Sequence, residues 1–412
     1  MDTWLEYAEQ TGRRNQVLIF DTSGKFVFPF MQYEVEREGE GAGYTENLVR
    51  LFTTVYEAIS RSKSGGGSDP YWERAMQQLL RNAIDLTMIV RGTASVSLVH
   101  DVIMSAPKSN DEIIKEEWQS KSLCWKLLIE GQAKKHTGQF DTWVNHDFDS
   151  TAAFWLDEYP NLSDKTRSGI LSMLTSMMDN FLRRPFRQLF SEPPADRRQI
   201  VRPELTHRGV IIIVNLPVKE YGDAGRAAQV VYKYLWQQAA ERRNVKENPR
   251  PVFLWADEAQ NFVTEYDMQF QATARSSRAC TVYLTQNLPN YYAEMGGEHS
   301  KPRVDSLVGN LQTKIWHANS DPSTNEHAAN TIGKSWHKHA SSGQSYGEES
   351  FSLSANQNES FDYDVSPQEF TKLDKGGTEW NGFEVEGIVF QNGRIWKNKK
   401  THLFTYFKQK DQ

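Results

Sequence analysis

Short apolar runs recur along this chain, and each of them stops at a polar residue. They occupy residues 17–20, 210–214, 252–256 and 281–284, with a fifth candidate at 313–317. Continuous apolar runs of this length predict buried β-strands. Segments with the helical spacing of apolar residues separate the later runs, notably 223–243 and 265–276. Buried strands that alternate with helices predict an α/β fold, in which helices cover both faces of a mostly parallel sheet.

A long helical stretch interrupts this pattern between residues 69 and 190. Asp69 fits a helix N-cap and Pro70 the first helical position. The apolar residues that follow recur at helical spacing and predict one buried face: Trp72, Ala75, Met76, Leu79, Leu80, Ala83 and Ile84. Further helices are predicted at 96–106, 110–135 and 163–190. The last carries Met173, Met177 and Met178, which we interpret as core filling rather than a binding groove.

The predicted domain organisation follows from this interruption. A first part of the core occupies 1–68, an all-α insertion 69–190, a second part of the core 191–335, a flexible loop 336–360, and C-terminal strands that complete the core 361–412. The loop is predicted because residues 340–360 are rich in Ser, Gly and Asn and lack periodicity. The SKSGGGS segment at 62–68 predicts a second flexible stretch. Near the C-terminus, Asn392-Gly393 predicts a tight β-hairpin.

Polar residues collect where the predicted strands end. They are Asp21, Asn215, Asp257, Glu258, Gln286 and Asn319. In open α/β sheets, ligands bind at the carboxyl ends of the strands. The sequence therefore predicts a binding site at this edge of the sheet.

The residue types at this edge match the needs of nucleotide hydrolysis, which requires a held metal, an activated water and neutralised phosphoryl charge. Asp257 is predicted to hold Mg²⁺ and Glu258 to polarise the attacking water. Gln286 is placed to sense the γ-phosphate of ATP. Arg275 or Arg278 is predicted to stabilise the transition state, reaching into a neighbouring subunit. The alternatives are a solvated strand end for the two carboxylates and a surface salt bridge for each arginine.

A phosphate-binding loop of the form GxxxxGK[ST] does not occur in these 412 residues. Gly24-Lys25 is followed by Phe26, and Gly333-Lys334-Ser335 has Ala328 where the first glycine belongs. Such a loop supplies backbone N–H groups and a lysine for the β- and γ-phosphates. The 412-residue chain is therefore expected to lack independent ATP hydrolysis.

Two other clusters are weaker candidates. The histidines His317, His327, His337 and His339 match no established metal-ligand spacing. A run of arginines offers a local basic patch for DNA phosphates, although a charged helix end and loop is the favoured interpretation: Arg183, Arg184, Arg187, Arg197, Arg198 and Arg202.

Composition narrows the classes of function. The formal net charge of −6 excludes a chain that binds polyanions with its whole surface, so DNA would have to meet a local patch or a pore lining. Two cysteines indicate a reducing compartment. No apolar run approaches the ~18–20 residues of a membrane span, and the N-terminus is not a signal peptide. We expect a cytoplasmic chain, associated with the inner membrane only through partners or a missing N-terminal segment.

Several segments in order resemble the motor domain of type IV secretion coupling proteins, the conjugative DNA-transfer ATPases of the HerA/FtsK class of RecA-like P-loop NTPases. The matching segments are FDTSGKF, DPYWERAMQQLLRNAIDL, GVIIIVNLP, FLWADEAQNFV, ARSSRACTVYLTQN, NLQTKIWHANSDPSTNEHAANTIGKS and FEVEGIVFQNGRIW. They cover most of residues 15–335 and part of 362–408.

This resemblance implies a homo-oligomeric ring, a hexamer, that pumps DNA through a central pore with ATP and Mg²⁺. It implies that residues 69–190 dock relaxosome or secretion-channel proteins. By motif position, Asp257 and Glu258 are the Walker B pair, Arg275 the arginine finger and Gln286 the sensor. The chain departs from the family because the Walker A segment and the membrane anchor are absent, and Met1 falls in or just after the helix that follows the P-loop.

Three hypotheses remain open at this point. The first is an ATP-driven DNA translocase of the coupling-protein type that misses its Walker A segment. The second is a non-hydrolysing, truncated ring subunit or a module that binds DNA or partners. The third is a HerA-type motor for DNA repair or packaging.

Overall fold

The computed structural model describes residues 1–60, 70–191, 194–297, 299–347, 350–377 and 382–409. The chain forms two compact units. The first contains Met1–Tyr283 with Glu294–Arg303, and the second contains Leu284–Ala293 with Val304–Gln412. The predicted flexible segment at 62–68 and the predicted cap Asp69 lie outside the described residues. The predicted domain boundaries stay predictions.

The first unit begins with helix α1 and strand β1 and then becomes mostly helical. Its helices up to the second strand are α1 (Asp2–Gln10), α2 (Phe30–Glu36), α3 (Thr45–Ser60), α4 (Pro70–Arg91), α5 (Val96–Met104), α6 (Asn110–Ile113), α7 (Glu116–Lys121), α8 (Leu123–His136), α9 (Thr142–Ala153), α10 (Asp164–Leu182) and α11 (Phe186–Phe190). Strand β1 (Val17–Phe20) lies between α1 and α2. After α11 come β2 (Ile211–Val214), α12 (Val218–Arg242), β3 (Val252–Ala256), α13 (Glu265–Thr273) and β4 (Ala279–Tyr283).

The second unit is built mainly from strands. The boundary between the units falls within α14 (Leu288–Met295) and within α15 (Ser300–Asn310). The remaining elements are β5 (Thr313–Trp316), α16 (Pro322–Ile332), β6 (Lys334–Gly347), β7 (Ser350–Tyr363), α17 (Glu369–Lys372), β8 (Glu384–Gln391) and β9 (His402–Lys408).

The four early strands form two parallel pairs. β1 pairs with β2 in the register Val17↔Ile211, and β3 pairs with β4 in the register Val252↔Ala279. Parallel pairing with long helical connections is what the buried apolar runs predicted. The fifth predicted strand, β5, differs, because it pairs antiparallel with β8 in the second unit.

The expectation that helices cover both sheet faces is wrong for β3. Its residues alternate between two faces, and α12 and α13 cover only the face of Val252, where Trp236 and Phe270 belong to the same apolar cluster. On the other face, Phe253 is 57% exposed and Trp255 is 51% exposed. An edge-on contact with Trp4 of α1, at 5.2 Å between ring centroids, partly shields Trp255.

The helical insertion forms as predicted, with finer subdivisions. The buried face of α4 includes Met76, Leu80 and Ile84, which join one large apolar cluster with residues of α10 and α12. The single helix predicted at 110–135 is three helices, separated at residues 114–115 and at Ser122. The Ser122 Oγ accepts a hydrogen bond from the Trp125 N–H and so starts α8. Helix α9 was not predicted from the sequence.

The prediction of a flexible loop at 336–360 is wrong, because its described residues, 336–347 and 350–360, lie in two long paired strands. β6 pairs with β7 along its whole length, from Lys334↔Tyr363 to Gly347↔Ser350. Small polar residues obscure periodicity in the sequence, but the backbone ladder between the strands does not depend on them.

The tight hairpin predicted at Asn392-Gly393 is also misplaced. β8 pairs with β9, in a register that runs from Glu384↔Lys408 to Phe390↔His402. Gly393 has a φ of 73° and turns the chain, but residues 394–396 do not return along β8. The expected C-terminal strand hairpin is present, with the longer connection 392–401 between its strands.

Among the described helices, none is by itself long and apolar enough to cross a membrane. Two consecutive helices, Tyr71–Arg91 and Val96–Met104, reach that length and apolarity only when they are taken together, and the chain bends by 111° between them.

A buried carboxylate joins the elements around β3 and β4. Asp267, at the start of α13, is fully buried and forms an ion pair with Lys233 of α12. It accepts further hydrogen bonds from Gln237 Nε2 at 2.8 Å, from the Thr264 N–H at 2.7 Å, and from Tyr283 OH at the end of β4. Burial alone would raise the pKa of Asp267, but the charge of Lys233 and these donors together hold that pKa below its usual range.

We predict that Asp267→Asn lowers the free energy of unfolding by about 3–5 kcal/mol, because it leaves the buried Lys233 without a counter-charge. The contribution of this pair is present above the carboxylate's unfolded pKa of about 3.9 and is lost as acid protonates Asp267. Urea titration at neutral pH measures the loss. The matched control is Asp149→Asn, which removes the exposed ion pair with Lys135 and should cost about 1 kcal/mol or less. Equal losses in the two variants would contradict the buried-pair account.

Candidate functional site

A carboxylate turn follows β3 directly. Asp257 is exposed at the strand end, and its Oδ1 accepts the Glu258 N–H at 3.0 Å. Glu258 is half-buried and lies in the left-handed region, with φ 49° and ψ 47°. A short 3-10 turn, Ala259–Asn261, comes next. A glutamate in the left-handed region is strained relative to a glycine there. The turn therefore sets the direction of the Glu258 carboxylate at a cost in folding stability.

Gln260 orients the Glu258 side chain, and no pattern in the sequence predicts this role. Its Nε2 donates to Glu258 Oε2 at 2.5 Å. Gln260 is itself buried, and its Oε1 is also buried and has no hydrogen-bond partner among the described residues. No spacing rule marks a glutamine two positions after a carboxylate; the contact arises from the left-handed turn at Glu258.

The two arginines lie at the opposite edge of the sheet from the carboxylate turn. They precede β4, and parallel pairing aligns the start of β4 with the start of β3. Arg278 confirms this position, because its Nη1 donates to the Pro249 carbonyl at 2.8 Å. The five residues of β3 therefore separate the arginines from Asp257, roughly 16 Å at ~3.3 Å per residue. Within one chain, neither Arg275 nor Arg278 lies beside the carboxylates.

The environments of the two arginines differ. Arg278 has a left-handed φ of 48° and is tied to the loop before β3, which favours a structural role. Arg275 is exposed on the turn after α13. Both guanidinium groups are exposed, but only that of Arg278 is held by the Pro249 carbonyl.

Gln286 belongs to the second unit, where the structure brings it together with Asn319. The Asn319 Nδ2 donates to the Gln286 carbonyl at 2.8 Å. Asn319 Oδ1 also accepts the Asp321 N–H at 2.7 Å, and Asp321 caps α16 through Thr324. Two of the predicted strand-end residues are thus neighbours. In the first unit, Asn215 and Asp21 likewise follow the adjacent ends of β2 and β1.

The arginine run after α10 is largely neutralised within the chain. Arg197 makes two hydrogen bonds with Glu36, at 3.0 and 2.9 Å. Arg198 pairs with Asp196 at 2.9 Å, and Arg183 with Asp179 at 2.9 Å. These contacts support the interpretation of the arginine run as a charged helix end and loop.

A magnesium ion fits the carboxylate turn through Asp257. The described residues contain no group of three or more His, Cys, Asp and Glu side chains that could hold a metal by themselves. Mg²⁺ in nucleotide sites is held by one or two carboxylates, with waters and phosphate oxygens completing its shell. A single exposed carboxylate at a strand end matches that donor set.

Known proteins resemble this chain both in sequence and in fold. The family described as the TraM recognition site of TraD and TraG matches residues 251–375, which include the carboxylate turn, both arginines and Gln286. The plasmid coupling protein TrwB in complex with the non-hydrolysable GTP analogue GDPNP superposes with a TM-score of 0.57 at 12% identity, over 97% of this chain and 75% of TrwB. The resemblance to type IV secretion coupling proteins is confirmed.

Other coupling-protein structures agree. TrwB in complex with ADP and Mg²⁺ has a TM-score of 0.53 at the same identity and coverage, and the unbound monoclinic form has 0.51. At 12% identity these likenesses establish the fold, and the predicted RecA-like α/β class with an all-helical insertion is confirmed. No curated protein matches the chain by sequence.

We predict that Glu258→Gly gives a more stable protein than Glu258→Ala, by about 1 kcal/mol, because only glycine adopts the left-handed turn without steric cost. Both variants lose the contact with Gln260, so their difference isolates the backbone. Urea unfolding of the two proteins side by side measures it. An alanine variant as stable as the glycine variant would show that the turn is not strained.

Proposed function

We propose that this protein is an ATP-driven DNA translocase of the conjugative type IV coupling-protein type, whose Walker A segment lies outside the 412 residues. The observation that carries the proposal is the carboxylate turn at the end of β3, in a chain with the coupling-protein fold. An apolar parallel strand that delivers two adjacent carboxylates to the ligand-binding edge of a sheet is the arrangement that phosphoryl transfer uses.

The proposed roles follow from position. Asp257 would hold Mg²⁺, whose charge neutralises phosphate oxygens when it is bound. Glu258 would accept a proton from the attacking water, and Gln260 would fix the carboxylate for that task through its 2.5 Å hydrogen bond. Gln286 would report on the γ-phosphate at the end of its own strand. TrwB has been described with ADP and Mg²⁺, which supports the same ligands here.

Arg275 would act on a neighbouring copy, because β3 separates it from the carboxylates of its own chain. On this proposal the complete site lies between subunits, which agrees with the proposed homo-oligomeric ring, a hexamer by resemblance, with DNA in a central channel. Arg278 is the weaker candidate for this role, since the Pro249 carbonyl already holds its guanidinium.

Partner docking is proposed on two regions. The family resemblance implies that relaxosome or secretion-channel proteins dock on the all-α insertion at 69–190. The match to a TraM recognition site, at residues 251–375, adds the second half of the chain as a candidate for relaxosome contact. We propose a cytoplasmic location, with attachment to the inner membrane through such partners.

A second function is favoured by one specific observation. The 412 residues lack GxxxxGK[ST], so the chain by itself fits a non-hydrolysing ring subunit that contacts DNA or partners. The two proposals differ in what happens when a phosphate-binding segment is supplied.

The 412-residue chain should bind ATP weakly or not at all, because it lacks the lysine and N–H groups that cradle the phosphates. A chain extended to contain GxxxxGK[ST] should hydrolyse ATP in a DNA-stimulated reaction. In that longer protein, Glu258→Gln should abolish turnover and spare nucleotide binding. Calorimetry and a phosphate-release assay measure both. Micromolar ATP affinity of the 412-residue chain, or unchanged turnover in Glu258→Gln, would contradict these assignments.

Mixing subunits tests the arginine. Arg275→Ala chains added to wild-type chains should depress ATPase activity more steeply than their fraction, because each defective copy disables a neighbour's site. Arg278→Ala serves as the comparison and should act mainly through stability. A strictly proportional loss with Arg275→Ala would exclude action in trans.

A further inference from the structure

The hairpin of β6 and β7 presents one aromatic face to solvent. Trp336 and Phe361 are cross-strand partners, with ring centroids 5.5 Å apart. Trp336 is 68% exposed and Phe361 is 56% exposed. Within the described residues, β6 and β7 pair only with each other. An exposed tryptophan and phenylalanine side by side are costly to hydrate, so this face has the character of a binding surface.

Lysines flank the aromatic pair on the same face. Lys334 and Lys338 lie two positions on either side of Trp336, and alternate residues of a strand share a face. The Lys334 Nζ lies 4.2 Å from the centroid of the Tyr363 ring. We call this surface the aromatic face, defined by Lys334, Trp336, Lys338, Glu359, Phe361 and Tyr363.

Charge is distributed unevenly between the two faces of this part of the hairpin. The aromatic face has two lysines and one carboxylate, Glu359, which is already paired with Lys338 at 3.4 Å. The opposite face has a carboxylate, Asp362, and no Lys or Arg. It also carries two histidines, and His339 contacts the Ser360 hydroxyl at 2.9 Å. The positive charge therefore lies with the exposed rings.

We propose that the aromatic face binds single-stranded DNA, with bases stacked on Trp336 and Phe361 and backbone phosphates near Lys334 and Lys338. Accessible aromatic rings interleaved with cations are the combination that sequence-tolerant single-strand binding uses. A protein partner fits less well, because lysine is depleted at the centre of protein–protein interfaces. The inference rests on the proposed function only in the choice of DNA as the polymer.

Stacking requires unpaired bases, since the faces of bases in a duplex are already covered by their neighbours. The aromatic face should therefore bind oligo(dT) more tightly than a duplex of the same length. The lysines add a salt-dependent contribution. Removing two phosphate contacts should reduce the slope of log affinity against log salt by about 1.4 for a single strand.

The test is the fluorescence anisotropy of labelled oligo(dT), measured with the full 412-residue chain in the absence of ATP. We expect Trp336→Ala with Phe361→Ala to weaken binding about tenfold or more, from the stacking energy of one or two bases. The matched control is Trp143→Ala, which removes a tryptophan that is 80% exposed on α9, and should leave affinity unchanged. Lys334→Ala with Lys338→Ala should lower the salt slope. Circular dichroism confirms that each variant is folded.

A second measurement locates the contact. Oligonucleotides with 5-iododeoxyuridine should photocross-link to the peptide containing Trp336 or Phe361. The proposal is overturned if wild type does not bind the strand, if the aromatic double variant binds as wild type does, or if cross-links map elsewhere. It is also overturned if the aromatic double variant differs from wild type only in self-association of the protein. Because no ATP is present, these outcomes are independent of ATP hydrolysis. A failure of the ATPase proposal would leave them unaffected.

Discussion

The buried carboxylate of Asp267 is the constraint on which the rest of the first unit's site depends. It gathers donors from Lys233 and Gln237 of α12, from Thr264 before α13, and from Tyr283 at the end of β4. A charge without solvent is tolerated only when such donors surround it. The result is a fixed relation between α12, α13 and the ends of β3 and β4. The carboxylate turn occupies the short chain segment between β3 and Thr264, so the same contacts limit where it can lie.

Parallel pairing imposes the second constraint. β3 and β4 run in the same direction from aligned starts, so residues that follow one strand and residues that precede the other lie at opposite edges. Asp257 and Glu258 follow β3, and Arg275 precedes β4. A hydrolytic site that uses both groups must take them from different copies of the chain. Strand direction thus supports a site shared between two copies of the chain, and the ring itself is proposed from the family resemblance.

The strands, the main helices and the carboxylate turn could be predicted from the sequence because continuous apolar runs and helical spacing report directly on burial. β3 was predicted with its observed bounds, Val252–Ala256. The β6–β7 hairpin could not be predicted, because Ser, Gly and Asn give no periodic signal and pairing rests on the backbone. The role of Gln260 could not be predicted either, since it depends on the left-handed φ of Glu258. β5 was placed in the wrong sheet because an apolar run does not reveal its pairing partner.

The most direct test of this account asks which chain supplies the arginine. Glu258→Cys and Arg275→Cys are introduced into differently tagged chains that contain a nucleotide-binding segment, with the exposed Cys280 replaced by serine. A short thiol cross-linker is added with ADP and Mg²⁺. The account predicts cross-links that join the two tags when the variants are mixed, and no internal cross-link when one chain carries both cysteines. An internal cross-link, or the absence of any link between chains, would contradict it.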